Sequence, residues 1–140
     1  MNELEPQFPL EFIVRGIPVS AQGSSKSKKK WKERVKASSR SVLQEGHYAT
    51  ASRLGITLYY FPEAEMQGDV DNIVKPIIDA LNRHIYLDDR QVDRVVVQKF
   101  EPGISFSFEA PSETLLEAIS DTKPLLYIKI ADDLSRRLDD

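Results

Sequence analysis

The feature that most restricts the fold is an apolar stripe between residues 72 and 83. Ile73, Val74, Ile77, Ile78 and Leu81 recur at helical spacing, while Asn72, Lys75, Asp79 and Arg83 fall on the opposite side. A helix with one apolar face has to bury it against another layer. Pro76 sets where it begins. Proline has no N–H to give and is tolerated only near a first turn, so regular helix is expected to start close to Asn72–Lys75.

The partner layer reads as a sheet. Leu10 to Val14, closed by Gly16 and Pro18, has the composition of a strand. Ile56, Leu58 and Tyr60 alternate with Thr57, Tyr59 and Phe61 up to Pro62, a β-branched and aromatic run typical of a second strand. Val92 to Phe100 reads as a third, with Ile104 to Phe108 as a hairpin partner beyond Pro102 and Gly103, and Leu125 to Ile130 as a last. Two further helices are expected, Trp31 to Leu43 with Gly46 as its stop, and Ser112 to Ile119. Ser20 to Lys30 is polar and lysine-rich and reads as a flexible basic loop near 20–30, and the charged tail near 132–140 as a weakly ordered acidic end. With 140 residues and 41% hydrophobic content, the expectation is one α+β domain. Its sheet is expected to be mixed or antiparallel, with about four strands and helices packed against it.

Cysteine is absent, so disulfides and thiolate sites are excluded and any metal falls to oxygen ligands or to His47 and His84. No apolar run approaches the roughly 20 residues of a membrane span, and the acidic, proline-broken N-terminus is unlike a signal peptide; a cytoplasmic protein away from membranes is expected. The net charge of -3 argues against nucleic acid until its distribution is considered. Residues 15–53 carry ten basic and two acidic side chains, while the segments on either side are net acidic. One face is thus suited to phosphate and another to a cation.

The chemistry concentrates in GDVDNIVKPIIDALNRHIYLDDRQV, from Gly68 to Val92. In extended chain, residues two apart project to one face, so Asp69 and Asp71 can offer both carboxylates to one cation. Magnesium suits such a pair, being held by one or two carboxylates plus water and substrate phosphate. The helix and a return loop leave enough chain for Asp89 to come back beside them. Taken alone, D-x-D before a helix reads equally as an N-cap with surface charge.

The whole string, D-x-D-N-x-x-K-x-x-x-D-A-L followed by D-D-x-Q-V, resembles the signature of the RusA family of Holliday-junction resolvases, including the spacing to the second acidic pair. The preceding strand, basic helix and second strand match the family layout more loosely, and nothing beyond Gly103 resembles it. The resemblance implies catalytic aspartates at Asp69, Asp71 and Asp89, an active-site lysine at Lys75, a RusA-like fold, a homodimer, and divalent-metal hydrolysis of a phosphodiester in four-way DNA, with magnesium or manganese as cofactor. Two opposed cuts in one junction suit two sites related by a two-fold axis.

Other side chains keep two readings. Lys75 also sits i,i+4 from Asp79, the geometry of a surface ion pair. Lys26, Lys28, Lys29, Lys30, Lys32 and Arg34 form either a phosphate-contacting surface or a solubilising one; the nuclease string favours DNA. Trp31, among them, is expected in the core. Asp88 is read as a turn former ahead of a ligand, Asn72 as a cap ahead of a carboxylate-orienting group, and Gln91 likewise, with Asp79 outside the metal shell. His47 and His84 have no metal-ligand spacing. The rival functions are a nuclease for flaps, forks or other branched DNA, and a catalytically silent DNA-binding or interaction protein.

Overall fold

Alternation along four strands separates two apolar layers, and the helices divide between them. A computed structural model describes residues 4–132. In chain order these form β1 (Leu10–Arg15), α1 (Ser25–Ser39), β2 (Leu54–Phe61), α2 (Val74–Leu81), β3 (Val92–Lys99), α3 (Glu113–Ser120) and β4 (Leu125–Ala131). The sheet order is β1-β4-β2-β3. β4 runs antiparallel to both its neighbours, while β2 and β3 are parallel and joined by the crossover that contains α2. The fold is the expected α+β domain with a mixed sheet.

Leu10, Phe12 and Val14 of β1, Ile56 and Leu58 of β2, and Leu126, Ile128 and Ile130 of β4 point to one face, where they meet Trp31 and Val35 of α1 and Ile77, Ile78 and Leu81 of α2. Residues between them in the strands, Ile13, Tyr59, Leu125 and Tyr127, turn to the other face and pack with Leu115 and Ala118 of α3. Trp31 is buried, as its place on α1 requires.

Three elements differ from the sequence expectation. Helix α1 begins at Ser25, so the basic loop expected near 20–30 is helical from Ser25 onward. Ser24 caps it, accepting from the Ser27 N–H at 3.1 Å, and lysine is a good helix former, so a run that reads as loop by composition builds the first turns. At its other end Ser38 and Ser39 donate back to the carbonyls of Arg34 and Lys36, and the chain passes into a 3-10 turn at Arg40–Val42 where continuous helix was expected. The hairpin strand expected at Ile104–Phe108 does not form. Gly103 turns with φ +84°, and the rings of Phe106 and Phe108 pack on Phe61, Phe100 and Tyr59 across the sheet face. The acidic tail lies outside the described residues beyond Asp132.

Candidate active site

The acidic pair sits where β2 hands over to α2. Gly68 has φ +79°, a conformation that suits glycine, and it turns the chain into Asp69, whose extended backbone (φ -95°, ψ 146°) precedes a 3-10 turn at Val70–Ile73. The α-helix begins at Val74, so Pro76 occupies its first turn as expected. Asp69 makes no side-chain cap to that turn, although its carbonyl accepts from the Asn72 N–H at 3.1 Å. The carboxylates of Asp69 and Asp71 are both exposed, and among the described residues neither has a hydrogen-bond or ion-pair partner. The N-cap alternative for the pair therefore finds no support in the geometry.

Asp69 and Asn72 also line a cleft of about 470 Å³, whose apolar wall includes Pro18, Met66 and Ile73. Ala21, just ahead of α1, donates its N–H to the Asn72 carbonyl at 2.8 Å. That bond holds the start of the lysine-rich helix against the turn bearing the two aspartates. Gly16, just past β1, lets α1 pack close to the strand end: its φ is +117°, and a Cβ there would lie 2.5 Å from the Arg34 guanidinium.

Asp89 is placed differently. One of its oxygens lies 3.4 Å from Lys75 Nζ and the other 3.1 Å from the Tyr86 hydroxyl. Lys75 also holds Asp79 at 2.9 Å, the i,i+4 pair open from the sequence, and that bond, with the nearby Asp89 charge, raises its pKa so that it stays an ammonium. Burial, reinforced by Asp89, drives the Tyr86 hydroxyl pKa well up, so it remains a proton donor. Its proton serves either Asp89 or the Ile78 carbonyl, 2.8 Å away. Among the described residues no three carboxylates or histidines approach closely enough to form one metal cluster, so Asp69, Asp71 and Asp89 are not gathered into a single ligand set. The donor chemistry nonetheless fits a hard cation: two free carboxylates offer oxygen ligands and leave the remaining positions to water and phosphate.

Asp88 caps the turn Asp89–Gln91, accepting from the Arg90 N–H, which lowers its pKa; Gln91 accepts from Leu87 and Asp88 and donates to the carbonyls of Thr50 and Ser52. Both are fixers of the return loop. Of the basic side chains, Lys26, Lys29, Lys30 and Arg34 are exposed, but Lys28 reaches back to the Ala21 carbonyl at 3.2 Å and Arg34 to the Arg15 carbonyl at 3.2 Å. Lys32 is half-buried.

Two groupings escaped the sequence reading. Tyr86 gave no sign of orienting Asp89, because an aromatic at that spacing reads equally as core. His47 and His84, 37 residues apart, meet edge to face with ring centroids 5.0 Å apart. His47 donates to the His84 carbonyl, and His84 Nε2 lies 2.7 Å from Ser39 Oγ. Burial first, then the positive field of His47, Arg40 and Lys36, pushes the His84 pKa down to about 4. The unfolded chain, with an ordinary histidine near 6.5, therefore binds more protons between these values, and stability present above pH 6.5 is lost as pH falls toward 4. Discounted for partial exposure, the loss is on the order of 1–2 kcal/mol. Urea unfolding midpoints at pH 7 and pH 4.5 should show it, with the difference reduced in His84→Gln.

A family model described as Endodeoxyribonuclease RusA matches residues 5–105. The matched residues span β1 through β3, leaving α3 and β4 outside. No curated protein matches the chain.

Proposed function

The chain belongs to the RusA endodeoxyribonuclease family, and from that premise we propose that it is a magnesium-dependent, structure-selective nuclease that resolves four-way DNA junctions as a homodimer, in cytoplasmic recombination and repair. The observation that carries this reading is the pair of exposed carboxylates at Asp69 and Asp71, without a partner among the described residues and beside the start of a lysine-rich helix.

In this reading Asp69 and Asp71 hold the cation, with manganese as a substitute, and Asp89, the third ligand by family correspondence, would have to turn from Lys75 and Tyr86 to join them. Bound magnesium supplies a lowered pKa for attacking water and neutralises charge gathering on the scissile phosphate. The chain's own groups do the rest. An ammonium has three N–H donors; Lys75 directs donors to Asp79 and Asp89 and keeps one for a phosphate oxygen. Tyr86 orients Asp89 through its hydroxyl. Lys26, Lys29 and Lys30, on the exposed side of α1, hold the backbone of an arm leading to the cut. No helix among the described residues is long and apolar enough to cross a membrane.

The test is magnesium-dependent cutting of a synthetic four-way junction beside flap, fork and linear duplexes; equal cutting of all four would remove the structure selectivity. Lys75→Ala is expected to slow cleavage by about 10²- to 10³-fold, as loss of a transition-state donor does, with metal affinity by calorimetry unchanged. A wild-type rate would leave Lys75 as the ion-pair partner of Asp79.

A further inference from the structure

We infer that the free edge of β3 is a self-pairing surface, on which a second copy of this chain adds its own β3 antiparallel about a two-fold axis at Val96. The inference rests on the dimer proposed above and gives it an interface.

Strand β3 is the sheet's outermost strand and, among the described residues, pairs only with β2. It is eight residues long with no proline, and it keeps Val95 39% and Val96 42% exposed. Beyond the bulge at Asp93 it is a regular, valine-rich edge of a kind that soluble proteins usually cover.

The pairing register follows from the backbone. Phe100 donates its N–H inward to the Tyr60 carbonyl. The pairing with β2 is regular from Arg94 to Lys99, so alternation turns Val95, Val97 and Lys99 toward the free edge, while Asp93 stands in a bulge between Val92 and Arg94 that the ladder skips. An antiparallel partner must place outward residues opposite outward residues. With Val96 facing Val96, Val95 meets Val97, Arg94 meets Gln98, and Asp93 meets Lys99, so opposite charges close both ends. Sliding by one step in one direction sets Asp93 against Glu101, and in the other leaves Asp93 against Val97. Asp93 already pairs with Arg53, and Lys99 lies 3.2 Å from Glu101, so each end of the joint joins two existing ion pairs.

The geometry has a consequence for the sites. A two-fold relating antiparallel strands within one sheet stands perpendicular to it. The joined sheet has eight strands, and both copies of α1 and α2, with both Asp69–Asp71 turns, lie on the same face. Two sites on one face can address opposed strands of a single junction.

The test uses the full chain in sedimentation. Wild type is expected as a dimer. Asp93→Lys alone sets lysine against Lys99, and Lys99→Glu alone sets glutamate against Asp93; each should dissociate about tenfold or more readily. An equimolar mixture of the two variants restores both opposite-charge pairs and should recover dimer. The chain has no cysteine, so Val96→Cys gives an independent readout: mild oxidation should link two copies across the axis, where facing Cα atoms of a non-hydrogen-bonded pair lie about 4.5 Å apart. Gln98→Cys should not link, its copies lying about 13 Å apart. A monomeric wild type, single variants as tight as wild type, no recovery on mixing, or equal linking of both cysteine variants would overturn the inference. Junction cleavage by wild type is measured alongside: a monomer that cuts overturns the edge pairing alone, whereas a dimer that cuts nothing overturns the nuclease reading alone.

Discussion

Asp71→Asn is expected to lose about a hundredfold or more of magnesium-dependent junction cleavage, at least the cost of disturbing groups one shell further from a metal, while junction binding persists or tightens. The change keeps the shape of the side chain and removes one proposed anionic ligand from the turn that opens α2. It also removes a negative charge from a surface that must receive phosphate. Asp71 is exposed and its carboxylate holds no other group among the described residues, so folding should not suffer. Gel-shift affinity, cleavage rate and thermal unfolding of the same preparation separate the outcomes. Loss of binding and of folding together with cleavage would count against Asp71 as a ligand.

The triple variant Lys26→Gln, Lys29→Gln and Lys30→Gln should weaken junction affinity and lower the slope of log K against log salt by about 2.7 if each lysine meets one phosphate of B-form DNA. These three hold no other group among the described residues, whereas Lys28 also donates to the Ala21 carbonyl and Arg34 to the Arg15 carbonyl. Lys28→Gln alone should therefore change the slope less than Lys29→Gln alone. Cleavage at saturating enzyme should remain, since the role proposed for α1 is to hold the DNA, while the α2 turn carries the carboxylates. An unchanged slope for the triple variant would assign the cluster to solubility.

Much of this protein is written locally. Period-two alternation marks β1, β2 and β4, and Ile73, Ile77 and Leu81 mark α2, because a chain in water must put such residues on one side. Pro76 fixes the helix start through a missing N–H, and the spacing D-x-D…K…D-D, which resembles the family's signature, lies inside the residues the family model matches. None of this needs knowledge of a distant residue.

What only the tertiary structure decided depends on which segments become neighbours. β4, outside the family match, inserts between β1 and β2 and completes the sheet, a placement set by long-range pairing that no local pattern encodes. The Ile104–Phe108 segment has the alternation of a strand, but its phenylalanines gain more from the aromatic cluster on the sheet face than from a ladder with β3. Asp89 comes back toward α2 as its spacing allowed, yet the atoms it meets are Lys75 Nζ and the Tyr86 hydroxyl, because unpaired carboxylates repel and the ammonium is the nearer compensating charge. His47 and His84 face each other, and Lys28 turns back on its own loop, for the same reason: sequence spacing states what a side chain can reach along its own element, while its partner is chosen by the packing of elements far apart in the chain.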